Sequence, residues 1–248
     1  MYAFHVSSDI DELLSPGADL AHNDDPDDGS SAEAEQKKRR VALALQAVQR
    51  RGLYFLQLEA ELQEMREIVV AAVGSNGMVL EFAPADLRDD RDVVMVAIEQ
   101  RGLALQFAST ALRNDRRVVL KAIKRHAGAF EFMSDELREN QKFVLKCLRK
   151  NGEALRYATA AERSDCAVAT AAVESTGIAL RHASKEVRAD RAVVMAAVKS
   201  DGRALRHELE DGGQELRHEL LVTLLVRGKV QHLRHATIAN AYGRPQGG

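Results

Sequence analysis

From Val41 onward, apolar and polar positions recur every 25 residues, in register and without insertion, through seven units that begin at residues 41, 66, 91, 116, 141, 166 and 191. The third place holds Leu43, Ile68, Val93, Val118, Phe143, Val168 and Val193; the seventh holds Ala47, Ala72, Ala97, Ala122, Cys147, Ala172 and Ala197. The eighth holds Val48, Val73, Ile98, Ile123, Leu148, Val173 and Val198, and the fifteenth Phe55, Leu80, Leu105, Phe130, Leu155, Leu180 and Leu205. Within a unit, Val93, Val94, Ala97 and Ile98 keep helical spacing, which predicts a first helix of about ten residues with one buried face. Asp90, Asp115, Asn140, Asp165 and Asp190 stand just before it, where a short polar side chain caps orphan N–H groups. A shorter second helix ("LALQFA") follows, and Ser109, Ser134, Thr159 or Ser184 caps a final turn, with Pro84 in that slot of the second unit.

Gly77, Gly102, Gly152, Gly177 and Gly202 fall after the first helix at multiples of the repeat, Ala127 beside Gly128 being the exception. A glycine in that place reads as a helix stop in the left-handed region rather than a phosphate loop. The alanine column predicts close approach of neighbouring helices. One unit carries too little apolar surface to offset the entropy of ordering its own backbone, so units must stack. The expected fold is all-α, an α-solenoid of short 25-residue helical repeats behind a disordered acidic N-terminal segment.

The segment boundaries follow from where the pattern fails. Residues 1–40, with "HNDDPDDGSSAEAEQ", read as a disordered acidic leader. Residues 41–207 hold the array, and 208–248 read as a degenerate capping repeat and flexible tail, with Gly228 after "ELLVTLLVR". The first unit is worn as well, with Gln57, Gln63 and Met65 where later units carry an aromatic, Arg and Asp.

Composition narrows the classes. Apolar residues make up 46% of the chain and aromatics 4%, with no Trp, which suits helices packed through small side chains. Two cysteines, Cys147 and Cys166, make no disulfide framework, and no secretory or membrane-spanning segment is legible. The expectation is an intracellular protein, cytoplasmic or nuclear. The formal charge of −2 conceals an asymmetry: residues 1–36 hold ten acids and no Lys or Arg, leaving 35 Lys and Arg against 27 Asp and Glu, a surplus of eight.

The unit "LRDDRDVVMVAIEQRGLALQFAS" resembles the tandem repeats catalogued as domain of unknown function 4116, over about residues 66–207. The resemblance implies a helical repeat and brings no catalytic residue with it. His182 and His207 depart from it by standing where the repeats carry an aromatic.

The candidate binding residues form a column: Arg88, Arg113, Arg138, Arg163 and Arg188. Such a row could hold phosphates or acidic peptide segments through planar guanidinium forks. The competing structural reading, which the recurring Asp favours, pairs each Arg with the Asp two residues on or with a helix C-terminal carbonyl of a neighbouring unit. "LRH" gives His182, His207, His218 and His235, but the first two occupy an aromatic column and read as packing residues rather than zinc ligands. Cys147 reads as core and Cys166 as an exposed thiol. Walker, nucleophile-elbow, zincin and dinucleotide motifs are missing, so no catalytic residue, metal or cofactor is expected. The favoured function is a non-enzymatic scaffold binding another protein or peptide. The alternatives are an RNA- or nucleic-acid-binding repeat protein, permitted by the basic body, and an unrecognised enzyme or regulatory module. The acidic leader is expected to compete for the basic body.

Overall fold

The computed structural model describes residues 29–201. Every described element is helical. The long helices are α1 (Gly29–Arg50), α2 (Arg66–Ser75), α3 (Arg91–Gln100), α4 (Arg116–Arg125), α5 (Gln141–Lys150), α6 (Cys166–Ser175) and α7 (Arg191–Ser200). From α2 on they begin at the predicted residues, and the all-α tandem-repeat reading holds. The readings for residues 1–28, for the 208–248 cap and for His207, His218 and His235 lie outside the described residues.

The leader was drawn too long. Helix α1 starts at Gly29, twelve residues before Val41. The stretch 32–40 ("AEAEQKKRR") consists of strong helix formers with no Pro or Gly, so propensity continues the helix upstream of the first apolar column. Lys37 Nζ donates to Glu61 at 2.7 Å and Arg40 pairs with Glu59, which ties this extension to the segment before α2.

The caps follow the polar pattern. Asp90 accepts from the N–H groups of Asp92 and Val93, and Asp115, Asp165 and Asp190 repeat the arrangement. Asn140 accepts from Phe143 N–H alone, and Met65, with no acceptor, leaves α2 uncapped. The second element is a six-residue 3-10 helix, as at Gly102–Phe107, rather than an α-helix. Ala104 N–H donates to Arg101 and Ala108 N–H to Leu105, the tight three-residue ladder suited to a short connector. Ser109, Ser134, Thr159 and Ser184 then cap the final turn, Thr159 in a full capping box with Glu162.

The periodic glycine has a different cause from the one read in the sequence. It opens the 3-10 helix, and the extended residue before it, such as Arg101 (φ −146°) or Asn151 (φ −154°), turns the chain. Among the described residues, Gly77, Gly102, Gly152 and Gly177 carry no positive φ. What each meets is the next repeat: a Cβ on Gly102 would lie 2.5 Å from the Ala122 carbonyl oxygen, and one on Gly152 2.2 Å from that of Ala172. The glycine column and the alanine column are two halves of one contact.

The chain divides into two compact units, Met1–His126 and Ala127–Gly248. In the first, α1 packs on α2, α2 on α3 and α3 on α4; in the second, α5 packs on α6 and α6 on α7. Helices α2, α3, α4, α6 and α7 also rest on the 3-10 helix of the repeat before them, as α3 does on Gly77–Phe82. Places three, four, seven and eight are buried from α2 to α7, and Ala72, Ala97, Ala122, Cys147, Ala172 and Ala197 have no exposed surface.

Cys147 follows the column, and burial, partly opposed by Lys146, pushes its thiol up to about 12; Cys166 is exposed at the start of α6. A thiol reagent at neutral pH should therefore modify Cys166 in the native chain and reach Cys147 only on unfolding. Two fast-reacting thiols would mean that the alanine column is open.

Candidate functional site

The arginine column is built by the last turn of each repeat, and its members are half-buried. Arg138 shows most fully what this position does. Its Nη2 donates to the Phe130 carbonyl at 3.0 Å, its Nη1 reaches Glu162 at 3.2 Å, and its guanidinium lies 5.1 Å from the centre of the Phe130 ring. Gln63, in the equivalent place of the first repeat, donates to Phe55 at 2.9 Å and Leu58 at 3.0 Å. In both repeats the long polar side chain satisfies the end of its own 3-10 helix. The Nε of Arg88 and that of Arg113 are buried without an acceptor among the described residues. The Arg88 and Arg163 carbonyls accept from Ser109 and Ser184, so the backbone here links adjacent repeats.

Asp90, Asp115 and Asp165, two residues after their column members, have other side-chain partners. Arg66 Nε donates to Asp90 at 2.9 Å, Arg91 Nη1 to Asp115 at 2.8 Å and Gln141 Nε2 to Asp165 at 3.3 Å. The side chain that starts one long helix thus holds the capping Asp of the next. The Arg66 hydrogen bond, helped by the N–H groups of Val93 and Asp92, keeps the Asp90 carboxyl below its ordinary pKa. Of the two structural partners read from the sequence for the column, the Asp or a carbonyl of a neighbouring unit, Asp90 and Asp115 are held instead by Arg66 and Arg91, and Arg138 bonds a carbonyl of its own repeat.

His182 departs from a purely packing role. Its Nε2 accepts from Arg181 Nε at 3.0 Å and lies 3.5 Å from Glu153, which also accepts from Arg181 Nη2 at 3.0 Å. Burial first, then Arg181, lower its pKa, consistent with a neutral ring that can accept. In the first unit Leu53 and Leu56, on the 3-10 helix Gly52–Gln57, and Phe82, at the end of Gly77–Phe82, are 45–48% exposed.

A second surface escaped the column analysis because it lies at solvent positions. From α3 to α7, places two, nine and ten of the long helix are exposed, and place six beside them ranges from buried at Ala171 to exposed at Lys146. In α4 they are Arg117, Lys121, Lys124 and Arg125, and in α5 they are Lys142, Lys146, Arg149 and Lys150. All eight are cationic, and neither helix contains an acid. Other repeats carry Glu67, Asp92, Glu99 or Glu174 among these places, or small residues. Lys121 reaches Glu99 of α3 at 2.7 Å. The spacing i, i+4, i+7, i+8 aligns each set along one face of its helix, a stripe of hydrated charge with no aromatic among its four places. Comparing the exposed columns, as the buried ones were compared, would have found both stripes.

Among the described residues no group of three or more His, Cys, Asp and Glu could hold a metal ion, and no helix is long and apolar enough to cross a membrane. A family model described as Domain of unknown function (DUF4116) matches residues 43–88, 65–113, 115–160 and 167–208, well over half of the chain. The chain belongs to that family. Comparisons with curated proteins and with solved structures each find no match.

Proposed function

Taking membership of that family as the premise, we propose that the chain is a non-enzymatic helical-repeat scaffold whose long helices hold an acidic segment of a protein partner. The observation that carries this reading is the pair of four-cation stripes on α4 and α5, set against repeats whose core columns scarcely change. A face used only for solubility would mix signs, whereas four like charges along one helix, in α4 and again in α5, favour a polyanionic ligand. The open apolar side chains Leu53, Leu56 and Phe82 supply contacts that suit a protein surface better than a phosphate backbone. The non-enzymatic part rests on a sequence without nucleophile, phosphate-loop or metal-ligand motifs.

The test is a titration of the full chain with an aspartate-rich peptide and, separately, with a nucleic-acid duplex of matched charge. The peptide should bind the wild-type chain, and Lys142→Glu with Lys146→Glu should weaken it about tenfold or more at low salt. Tighter binding of the duplex under the same conditions would establish the nucleic-acid reading instead. Equal peptide affinity for wild type and variant would remove the stripe from the account.

A further inference from the structure

We propose that the chain carries its own ligand for the α4 stripe: residues 1–28 dock on the face formed by Arg117, Lys121, Lys124 and Arg125. The inference rests on reading that stripe as a surface for acidic peptide, and it names an occupant. Residues 1–28 contain eight Asp and Glu and no Lys or Arg, with four of the acids in "DDPDD" (24–28). Within Met1–His126 the other dense basic run, "KKRR" at 37–40, is already largely matched: Lys37 pairs with Glu61, Lys38 with Glu35 and Arg40 with Glu59. On α4, by contrast, a single carboxylate, Glu99, faces both Lys121 and Arg125, while Arg117 and Lys124 form no ion pair with a described carboxylate. Fixed positive charge is therefore concentrated at α4.

The reach is sufficient. Helix α1, 22 residues long, spans about 33 Å, and three successive packed layers separate α1 from α4 by about 24–30 Å. A 28-residue segment extends to roughly 90 Å, more than the sum of those distances. Tethering gives the segment an effective concentration on the order of millimolar at α4, so individually weak charge contacts can fill the stripe. An external acidic partner must then displace it, which makes the segment an internal competitor for the stripe. Screening sets the working range, because contacts between exposed charges fade as the screening length falls to about 8 Å at physiological ionic strength and further beyond it.

Zero-length carbodiimide coupling of carboxylates to lysine amines in the full chain, mapped by mass spectrometry, tests this directly. At low salt, acids from residues 1–28 should couple to Lys121 or Lys124, within one chain when isotope-labelled and unlabelled protein are mixed. Coupling should disappear in molar salt. The Lys37–Glu61 pair, 2.7 Å apart, provides the internal control for reaction and for folding. Arg117→Glu with Arg125→Glu keeps both lysine acceptors and should lower the leader-to-α4 yield more than about threefold while leaving the control link intact. The proposal fails if only the control links form, if the leader couples instead to Lys37 or Lys38, or if the links join two chains. It would fail alone, leaving the scaffold reading in place, if the aspartate-rich peptide still bound the stripe.

Discussion

Replacing Gly152 by alanine should lower the stability of the chain by about 3 kcal/mol, a large effect for one methyl group. The added carbon would sit 2.2 Å from the Ala172 carbonyl oxygen and 2.9 Å from Thr176 Cβ. One contact is the backbone of α6 and the other lies at that helix's exit, so neither can rotate away as a flexible side chain would. Relief requires α6 to back off from the 3-10 helix Gly152–Tyr157, opening the layer around Leu155 and Ala172, both fully buried. The same logic applies at Gly102 against Ala122 and His126. Asparagine separates this account from a left-handed cap, because Asn tolerates that conformation far better than Ala. Urea midpoints should place Gly152→Asn at or below Gly152→Ala; recovery toward wild type in the Asn variant would point to backbone conformation as the cause.

Enlarging the partner column should produce the next largest loss. Ala97→Leu or Ala122→Leu adds three carbons at positions with no exposed surface, in residues whose carbonyls already press on Gly77 and Gly102. Overpacking of this kind costs roughly 1–3 kcal/mol or more. Ala71→Leu, one place earlier in the repeat and only half-buried on α2, should be far milder. Equal urea midpoints for the three variants would show that the buried and open faces of the long helices have been exchanged.

The buried half of the fold was legible because the repeat itself averages out chance. Six copies of a Val or Ile beside an Ala, with Leu148 beside Cys147 as the seventh, fix helix, face and register, and the recurring Asp and Ser fix the caps. What was not legible was the reason for the glycine. Gly102 follows a helix in the sequence whether it turns the chain or admits a neighbour, and only the 2.5 Å that would separate an added Cβ from the Ala122 carbonyl oxygen distinguishes the two. The arginine column was found as a row, but its use was not: Gln63 in the worn first repeat held the clue, since it preserves a donor to the Phe55 carbonyl without the charge. The long α1 was missed because residues 29–40 are polar throughout and helical by propensity alone, with no apolar face to announce them. The stripes on α4 and α5 were missed for the opposite reason: attention to core columns discards the places where a partner would touch.

The central structural claim is that the periodic glycine exists to let the next repeat approach, and two glycines three residues apart test it most directly. Gly74 lies inside α2, where the nearest group to an added Cβ is Val96 Cγ1 at 3.7 Å; Gly77 opens the 3-10 helix, where an added Cβ would lie 2.3 Å from the Ala97 carbonyl oxygen. Gly74→Ala should raise the urea midpoint, by about 0.5–1 kcal/mol of helix propensity. Gly77→Ala should lower it by on the order of 3 kcal/mol. Opposite signs would support stacking through the glycine–alanine contact, and a neutral or stabilising Gly77→Ala would contradict it.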